Sequence, residues 1–338
     1  MRIAHLISLL FTLLLVACGG GSGSGSGSGS TSSSTTTPSE VFSFRAVTDE
    51  DLNRVKTTWA QRDLSAKEVS LAYEDSQPNY HIRIYKHKVG SNFHFGAVIT
   101  PSAILTKPLP VVVTVDGLNQ ANPSMTMDNS LRDYKSDSVL VVPAFRGRYL
   151  RYKNQNFFAE GDFCDAYDCA TDDTIALMNV VEATEPRAKM DKILVMGYSR
   201  GGNVALLLGE RDKRVDTVVA GASPVDFYRQ QVRDRYGSQY TCQFFTGKTI
   251  DQTRERILAS SPLHFAILPS VNKVHLFQGG SDDVVPPWNG QEMNDRLISQ
   301  KANVSFYLYN GYGHGDIWQN QNFVNTWQQL TSEFIASH

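Results

Sequence analysis

The sequence predicts an α/β domain with a mostly parallel central sheet and helices on both faces. Apolar-rich segments of strand length recur at residues 110–115, 139–143, 192–196, 215–220, 274–278 and 304–309. Strands buried on both faces read in this way, whereas half-exposed strands alternate. Helix-like segments lie between them, at residues 172–183 and 204–208, and strand–helix alternation is the pattern of parallel crossovers. The 338 residues are 41% hydrophobic with a formal charge of −2. That suits one large globular domain and offers no basic surface for nucleic acid.

From the N-terminus, residues 1–17 have the form of an export signal: Arg2 precedes an apolar core, residues 6–16, that is short for a bilayer. The core ends in Leu15-Val16-Ala17-Cys18, which resembles the lipobox of bacterial lipoproteins. The resemblance implies cleavage before Cys18, lipid on its thiol and acylation of its amine. Gly19 stands where an aspartate would retain such a protein at the inner membrane, which points to a lipid-anchored place in the cell envelope, on the outer membrane or periplasmic side if the cell is Gram-negative. An ordinary signal peptide with an incidental cysteine is the alternative. Residues 18–39 form a tether, nearly all glycine, serine and threonine after the cysteine, with a typical reach of roughly 25 Å.

Residues 40–338 make up the folded domain. Its first part, residues 40–74, is polar with scattered apolar positions such as Leu52, Val55 and Trp59, which fits a helix and a strand on the outside. Residues 80–85 and 92–99 alternate with the period of half-buried strands around a turn at Gly90-Ser91. The buried strands follow.

The run at 192–196 leads into Gly197-Tyr198-Ser199-Arg200-Gly201, then Gly202 and an apolar helical stretch. G-x-S-x-G between a strand and a helix is the nucleophile-elbow pattern. The sharp turn brings backbone against backbone, so the flanking positions cannot carry side chains. A serine of ordinary pKa also needs a base, and the base an acid. Residues 274–278 run into Gly279-Gly280-Ser281-Asp282-Asp283-Val284-Val285-Pro286, and residues 304–309 into a loop containing Gly313-His314-Gly315.

With G-x-S-x-G-G, G-x-x-D-x-x-V-P and G-H-G in that order over residues 80–338, the chain resembles the α/β-hydrolase superfamily. The resemblance is to the branch that holds prolyl-oligopeptidase-type catalytic domains and dienelactone-hydrolase-like esterases. It implies Ser199 as nucleophile, Asp282 as acid and His314 as base. Asp283 is the alternative acid. Of the eight histidines, His5 and His338 are near the termini, His81, His87 and His94 fall in early strands, His264 in the lid and His275 within a strand. Only His314 stands in a glycine-rich loop after the last strand.

An oxyanion hole needs two N–H donors. Arg200, after the nucleophile, supplies one, and the loop at residues 116–119 the other, taken as Leu118 with Asn119 as the alternative. Peptide-cleaving relatives often place a tyrosine in this loop, and here there is none. The resemblance implies a small lid insertion at about residues 222–266. Its Phe227, Tyr228, Tyr236, Tyr240, Phe244 and Phe245 could line an aryl or acyl pocket or simply pack the lid on the body.

In an exported protein, Cys164, Cys169 and Cys242 are expected to pair. Cys164 with Cys169 would close a small loop, and pairing of Cys242 with either stays open. Five aspartates crowd residues 162–173 without the regular ligand spacing of a calcium loop. No metal is expected there, and the helix dipole is expected to favour them. Phe145-Arg146-Gly147 resembles an Arg-Gly of the prolyl-oligopeptidase branch, which implies an arginine bracing the active-site loops.

The resemblance therefore implies a serine hydrolase that cleaves carboxylic esters through an acyl-enzyme, without a cofactor. The partner would be a small-molecule ester or short peptide, with the membrane held through Cys18. Two alternatives stand. One is a serine peptidase of the prolyl-oligopeptidase type, without the propeller of its larger members. The other is a non-catalytic surface-binding protein on a hydrolase scaffold, which would not require all three triad groups.

Overall fold

The computed structural model describes residues 42–103, 107–118, 124–132 and 134–338. Cys18, the tether and Asn119 lie outside the described residues. Three strands open the main sheet as an antiparallel meander: β1 (Lys67–Ser76), β2 (Tyr80–Val89) and β3 (Asn92–Pro101). Six mutually parallel strands continue it in the order β6 (Val139–Pro143), β4 (Leu109–Val115), β9 (Ala188–Tyr198), β10 (Val215–Gly221), β11 (Lys273–Gly279) and β12 (Val304–Tyr309). This is the mostly parallel sheet expected from the apolar runs.

Helices cover both faces. Successive side chains of a strand point to opposite sides, so Val111 and Val113 of β4 enter one core and Val112 the other. The first core is closed by α3 (Asp168–Thr184), α4 (Arg200–Arg211) and α7 (Trp288–Ser299) through Leu177, Val204 and Met293. The second is closed by α8 (Gln321–Ser337) through Phe323, Phe334 and Ile335, with Met127 of α2 (Met127–Arg132). A second sheet of β5 (Ser124–Thr126), β7 (Arg148–Tyr152) and β8 (Gln155–Ala159) stands apart. The sequence reading did not include it, although β7 alternates buried and exposed residues.

Ahead of the sheet, α1 (Asp49–Gln61) is closed at its start by a Thr48–Asp51 capping box. Its far end is fixed by charge. Trp59 Nε1 donates to Asp168 at 2.8 Å, and Arg62 bridges Asp168 and Asp172 at 2.6 and 2.8 Å. Arg211 pairs with the same two aspartates, Arg146 with Asp173 at 2.6 Å, and Arg256 with Asp165 at 3.2 Å. Arginines therefore hold four of the crowded aspartates, where the helix dipole had been the expected partner. Asp162 accepts instead from the Cys164 N–H. Arg146 Nη2 also donates to the Cys169 carbonyl, which ties the loop after β6 to the first turn of α3.

The lid holds α5 (Gln230–Phe244) and α6 (Ile250–Ala259). Phe227, Tyr228, Tyr240, Phe244 and Phe245 are buried and pack with Phe42, Val55 and Tyr167. These aromatics fasten the lid to the body. Tyr236 is half-buried, and its hydroxyl donates to the Val284 carbonyl at 3.0 Å. A disulfide joins Cys164 to Cys242 with Cα atoms 5.4 Å apart, tying α5 to the loop before α3. The short pairing of Cys164 with Cys169 is thereby corrected. Cys169 is committed to the first turn of α3, its thiol is free, and burial together with Asp165 raises its pKa.

His87 and His94 face each other across the β2–β3 pair, each about 1% exposed. Among the described residues none of their four ring nitrogens has a hydrogen-bond partner, although His94 Nδ1 lies 3.4 Å from Asp173. Burial, reinforced by His94 and opposed by Asp173, pushes His87 from 6.5 down to about 4. Between these values His87 is neutral when folded and charged when unfolded. The stability it contributes is complete above pH 6.5 and is lost as pH falls towards 4. A gap of that size corresponds to about 3 kcal/mol. His87→Phe should therefore flatten the acid limb of the stability profile, read as urea midpoints at neutral and mildly acidic pH. An unchanged pH slope would contradict the assignment.

Candidate active site

Strand β9 ends at Tyr198 and helix α4 begins at Arg200, so Ser199 makes the whole turn. Its φ of 59° and ψ of −122° are a backbone state that non-glycine residues rarely adopt. Backbone bonds hold it there: Ser199 N–H donates to the Gly221 carbonyl at 2.7 Å, and Gly202 N–H to the Ser199 carbonyl at 3.0 Å. The crowding the glycines relieve is visible. A Cβ at Gly201 would collide with the Val115 carbonyl, and one at Gly197 with the backbone of Gly201. The Ser199 hydroxyl makes no capping bond to its helix.

The loops after β11 and β12 are pinned to each other. Gly280 N–H donates to the Tyr309 carbonyl and Ser281 N–H to the Tyr312 carbonyl, each at 2.9 Å. Asp282 is buried, while Asp283 is exposed. Asp282 Oδ1 accepts from the Val284 and Val285 N–H groups at 2.9 and 2.8 Å, and Oδ2 lies 2.8 Å from His314 Nδ1. A carboxylate at Nδ1 accepts a hydrogen bond from Nδ1–H and so keeps the ring proton on that nitrogen, which leaves Nε2 as an acceptor. Tyr198 ties the elbow to this pair. Its hydroxyl donates to the His314 carbonyl at 2.7 Å, and the two rings are 5.2 Å apart. No hydrogen bond joins Ser199 to His314 in this unliganded structure, and such bonds commonly tighten only with substrate.

The 116–118 loop lies against the elbow. A Cβ on Gly117 would be 3.6 Å from the Tyr198 carbonyl and 3.9 Å from Ser199 Cβ. Beneath it, the Arg200 side chain is buried, with its guanidinium carbon 4.3 Å over the Phe145 ring. Burial, with repulsion from Arg148 and opposed by Asp116, lowers Arg200 to about 9. Asp116 opens to solvent, yet the surrounding protein desolvates its carboxyl and raises its pKa against the pull of Arg200 and Arg148. The structure thus brings together Ser199, Asp282, His314, Arg200 and the Gly117–Leu118 peptide. The Tyr198 and Arg200 side chains had no signal in the sequence beyond their places inside G-x-S-x-G, and Gln278, whose Nε2 approaches Asp282 at 3.4 Å, read only as strand.

Residues 155–338 match the model of the prolyl oligopeptidase family. No curated protein matches the chain. Among solved structures, acetyl xylan esterase 1 from Thermoanaerobacterium sp. JW/SL YS485 is similar at 15% identity and TM-score 0.62, over 85% of this chain and 94% of that one. The acetyl xylan esterase from Paenibacillus sp. R4 is similar at 16% identity and TM-score 0.61, over 84% and 95%. Pyrococcus horikoshii acylaminoacyl peptidase is similar at 13% identity and TM-score 0.52, over 78% of this chain and 48% of that one. These likenesses identify an α/β-hydrolase fold. With more than half of its residues inside the family match, the chain belongs to the prolyl oligopeptidase family and is a serine hydrolase.

Proposed function

We propose that this protein is a carboxylic ester hydrolase with Ser199 as nucleophile, His314 as base and Asp282 as the acid that orients it. The observation that carries the reading is the 2.8 Å contact of His314 Nδ1 with buried Asp282, on loops locked together and tied to the elbow by Tyr198. His314 Nε2 takes the proton of Ser199 Oγ as Oγ attacks the ester carbonyl carbon. Asp282 stabilises the imidazolium, and the N–H groups of Arg200 and Leu118 receive the oxyanion. The adduct collapses by expelling the alcohol, which His314 protonates, and the acyl group stays on Ser199. His314 then takes a proton from water as that water attacks the acyl carbonyl. The carboxylic acid leaves, and the proton returns to Ser199. The residues complete this cycle without a cofactor.

Support for an ester over a peptide comes from residues 116–119, which carry no tyrosine to help stabilise the oxyanion of a poorer amide substrate. The fit to two acetyl xylan esterases over 94% and 95% of their lengths agrees with this reading. Family membership favours the peptidase reading, so the two are set against each other directly. For the intact chain, kcat/KM on a short p-nitrophenyl ester should exceed that on the matching aminoacyl anilide by a wide margin. Comparable values would move the protein to the peptidases.

The roles separate by substitution. Ser199→Ala should abolish fluorophosphonate labelling while leaving the fold intact. Asp282→Asn should lower kcat by on the order of 10⁴-fold, as a wrong-tautomer change does in the serine-protease triad. Asp283→Asn should cost far less. A crippling Asp283→Asn beside a mild Asp282→Asn would move the acid by one residue.

The enzyme is further proposed to be lipid-anchored through Cys18, on the strength of the lipobox and the tether that follows it. Two or more acyl chains anchor a protein stably, at about 0.8 kcal/mol per buried CH₂. Cells fed an alkyne fatty acid should label the wild type and not Cys18→Ser, with hydrolysis unchanged. Equal recovery of both in the soluble fraction, with no label on either, would leave an ordinary cleaved signal.

A further inference from the structure

One oxyanion donor, the Arg200 N–H, is fixed by the first turn of α4. The other lies on the 116–118 loop, where the chain has left β4 and belongs to no helix. The Arg200 side chain is what grips that loop. Its Nε donates to the Asp116 carbonyl at 3.2 Å and its Nη2 to the Gly117 carbonyl at 2.7 Å. These two nitrogens form one edge of a rigid guanidinium fork. The fork itself is fixed, since Arg200 is 1% exposed and its guanidinium carbon sits 4.3 Å over the Phe145 ring.

Two successive carbonyls aimed at one guanidinium depart from extended chain, in which they alternate in direction. Among the described residues every peptide is trans, and in a trans peptide the N–H points opposite to the carbonyl of the same unit. The Asp116 carbonyl shares its peptide with the Gly117 N–H, and the Gly117 carbonyl shares its peptide with the Leu118 N–H. Both N–H groups therefore leave the loop on the face away from Arg200. The Leu118 N–H lies one residue from Gly117, which packs against the elbow.

Resting on the Ser199 reading above, we infer that the Arg200 side chain is a positioning residue for the oxyanion hole, holding the Gly117–Leu118 peptide so that its N–H meets the substrate carbonyl oxygen. A single residue then supplies one donor from its backbone and aims the second with its side chain. Both donors keep a fixed spacing because both refer to the same Cα. The oxyanion forms only during reaction, so this role acts on kcat rather than on ground-state binding.

The test compares the intact wild type with Arg200→Lys and Arg200→Met on a p-nitrophenyl ester. Inhibition is measured with a trifluoromethyl ketone, which forms an oxyanion on Ser199, and with its methyl carbinol, which does not. Removing one oxyanion donor costs about 10²- to 10³-fold in kcat. Misaiming one in Arg200→Met should cost on the order of 10²-fold, with KM within about threefold and Ki for the ketone rising in step. The carbinol Ki should stay flat, and Arg200→Lys, which can still reach one carbonyl, should recover part of the loss. A folded Arg200→Met with unchanged ketone Ki, or a loss confined to KM, would overturn the inference. Should Arg200→Met not fold, Arg200→Lys decides: a weaker ketone Ki with an unchanged carbinol Ki supports it, and equal shifts in both overturn it. Absence of fluorophosphonate label on wild-type Ser199 would remove the underlying reading instead.

Discussion

Helix α4 starts against the ends of β4 and β9 with no room for a side chain between the three backbones. Gly201 touches the Val115 carbonyl, Gly197 touches Gly201, and Gly202 sits under Ser223 and the end of β10. Close approach of this kind forces Ser199 into its left-handed turn and points the first turn of α4 at the space above the sheet. It also sets the direction of Arg200. Starting from that position, the guanidinium reaches below the loop after β4 and finds two carbonyls there. The rest of the site is arranged around a turn that the packing does not permit to relax.

Around this centre, charge does much of the fastening. Arg62 and Arg211 share Asp168 and Asp172, Arg146 holds Asp173, and Arg256 reaches Asp165 from the lid. Each buried pair is costly to break singly, because removal of one partner strands the other without solvent. The ion pairs link α1, α3, α4 and α6 side by side, and the Cys164–Cys242 bridge adds a covalent link to α5. A bridge closing a loop of 78 residues stabilises by about 4 kcal/mol in the chain-entropy account. The lid is thus fastened on both its helices, and Tyr236 connects it to the Asp282 loop through Val284.

Much of this was legible in the sequence because it is local. Apolar-rich segments mark β4, β9, β10 and β11, and the glycines of the elbow mark a turn whose sterics admit nothing larger. Asp282 and His314 were legible from their places after β11 and β12. Other features depend on partners distant in the chain. Nothing near Cys164 shows that Cys242 will arrive above it, and nothing near Asp168 shows that Arg62 and Arg211 will converge on it. The lid aromatics illustrate the same limit: composition offers the rings, but only packing shows Phe227 and Phe244 buried against Tyr167 and Tyr240. Arg200 was visible as a backbone donor, while the direction of its side chain follows from an approach of two loops that no periodicity records.

The account stands on covalent chemistry at one oxygen. Rapid acid quench of the intact protein during turnover of a slowly deacylating aryl ester, followed by peptide mass mapping, reads that chemistry directly. The account predicts the substrate's acyl mass on the peptide bearing Ser199, formed as fast as the first equivalent of phenol is released. Steady release of phenol with no acylated peptide, or an acyl group on another residue, would contradict it.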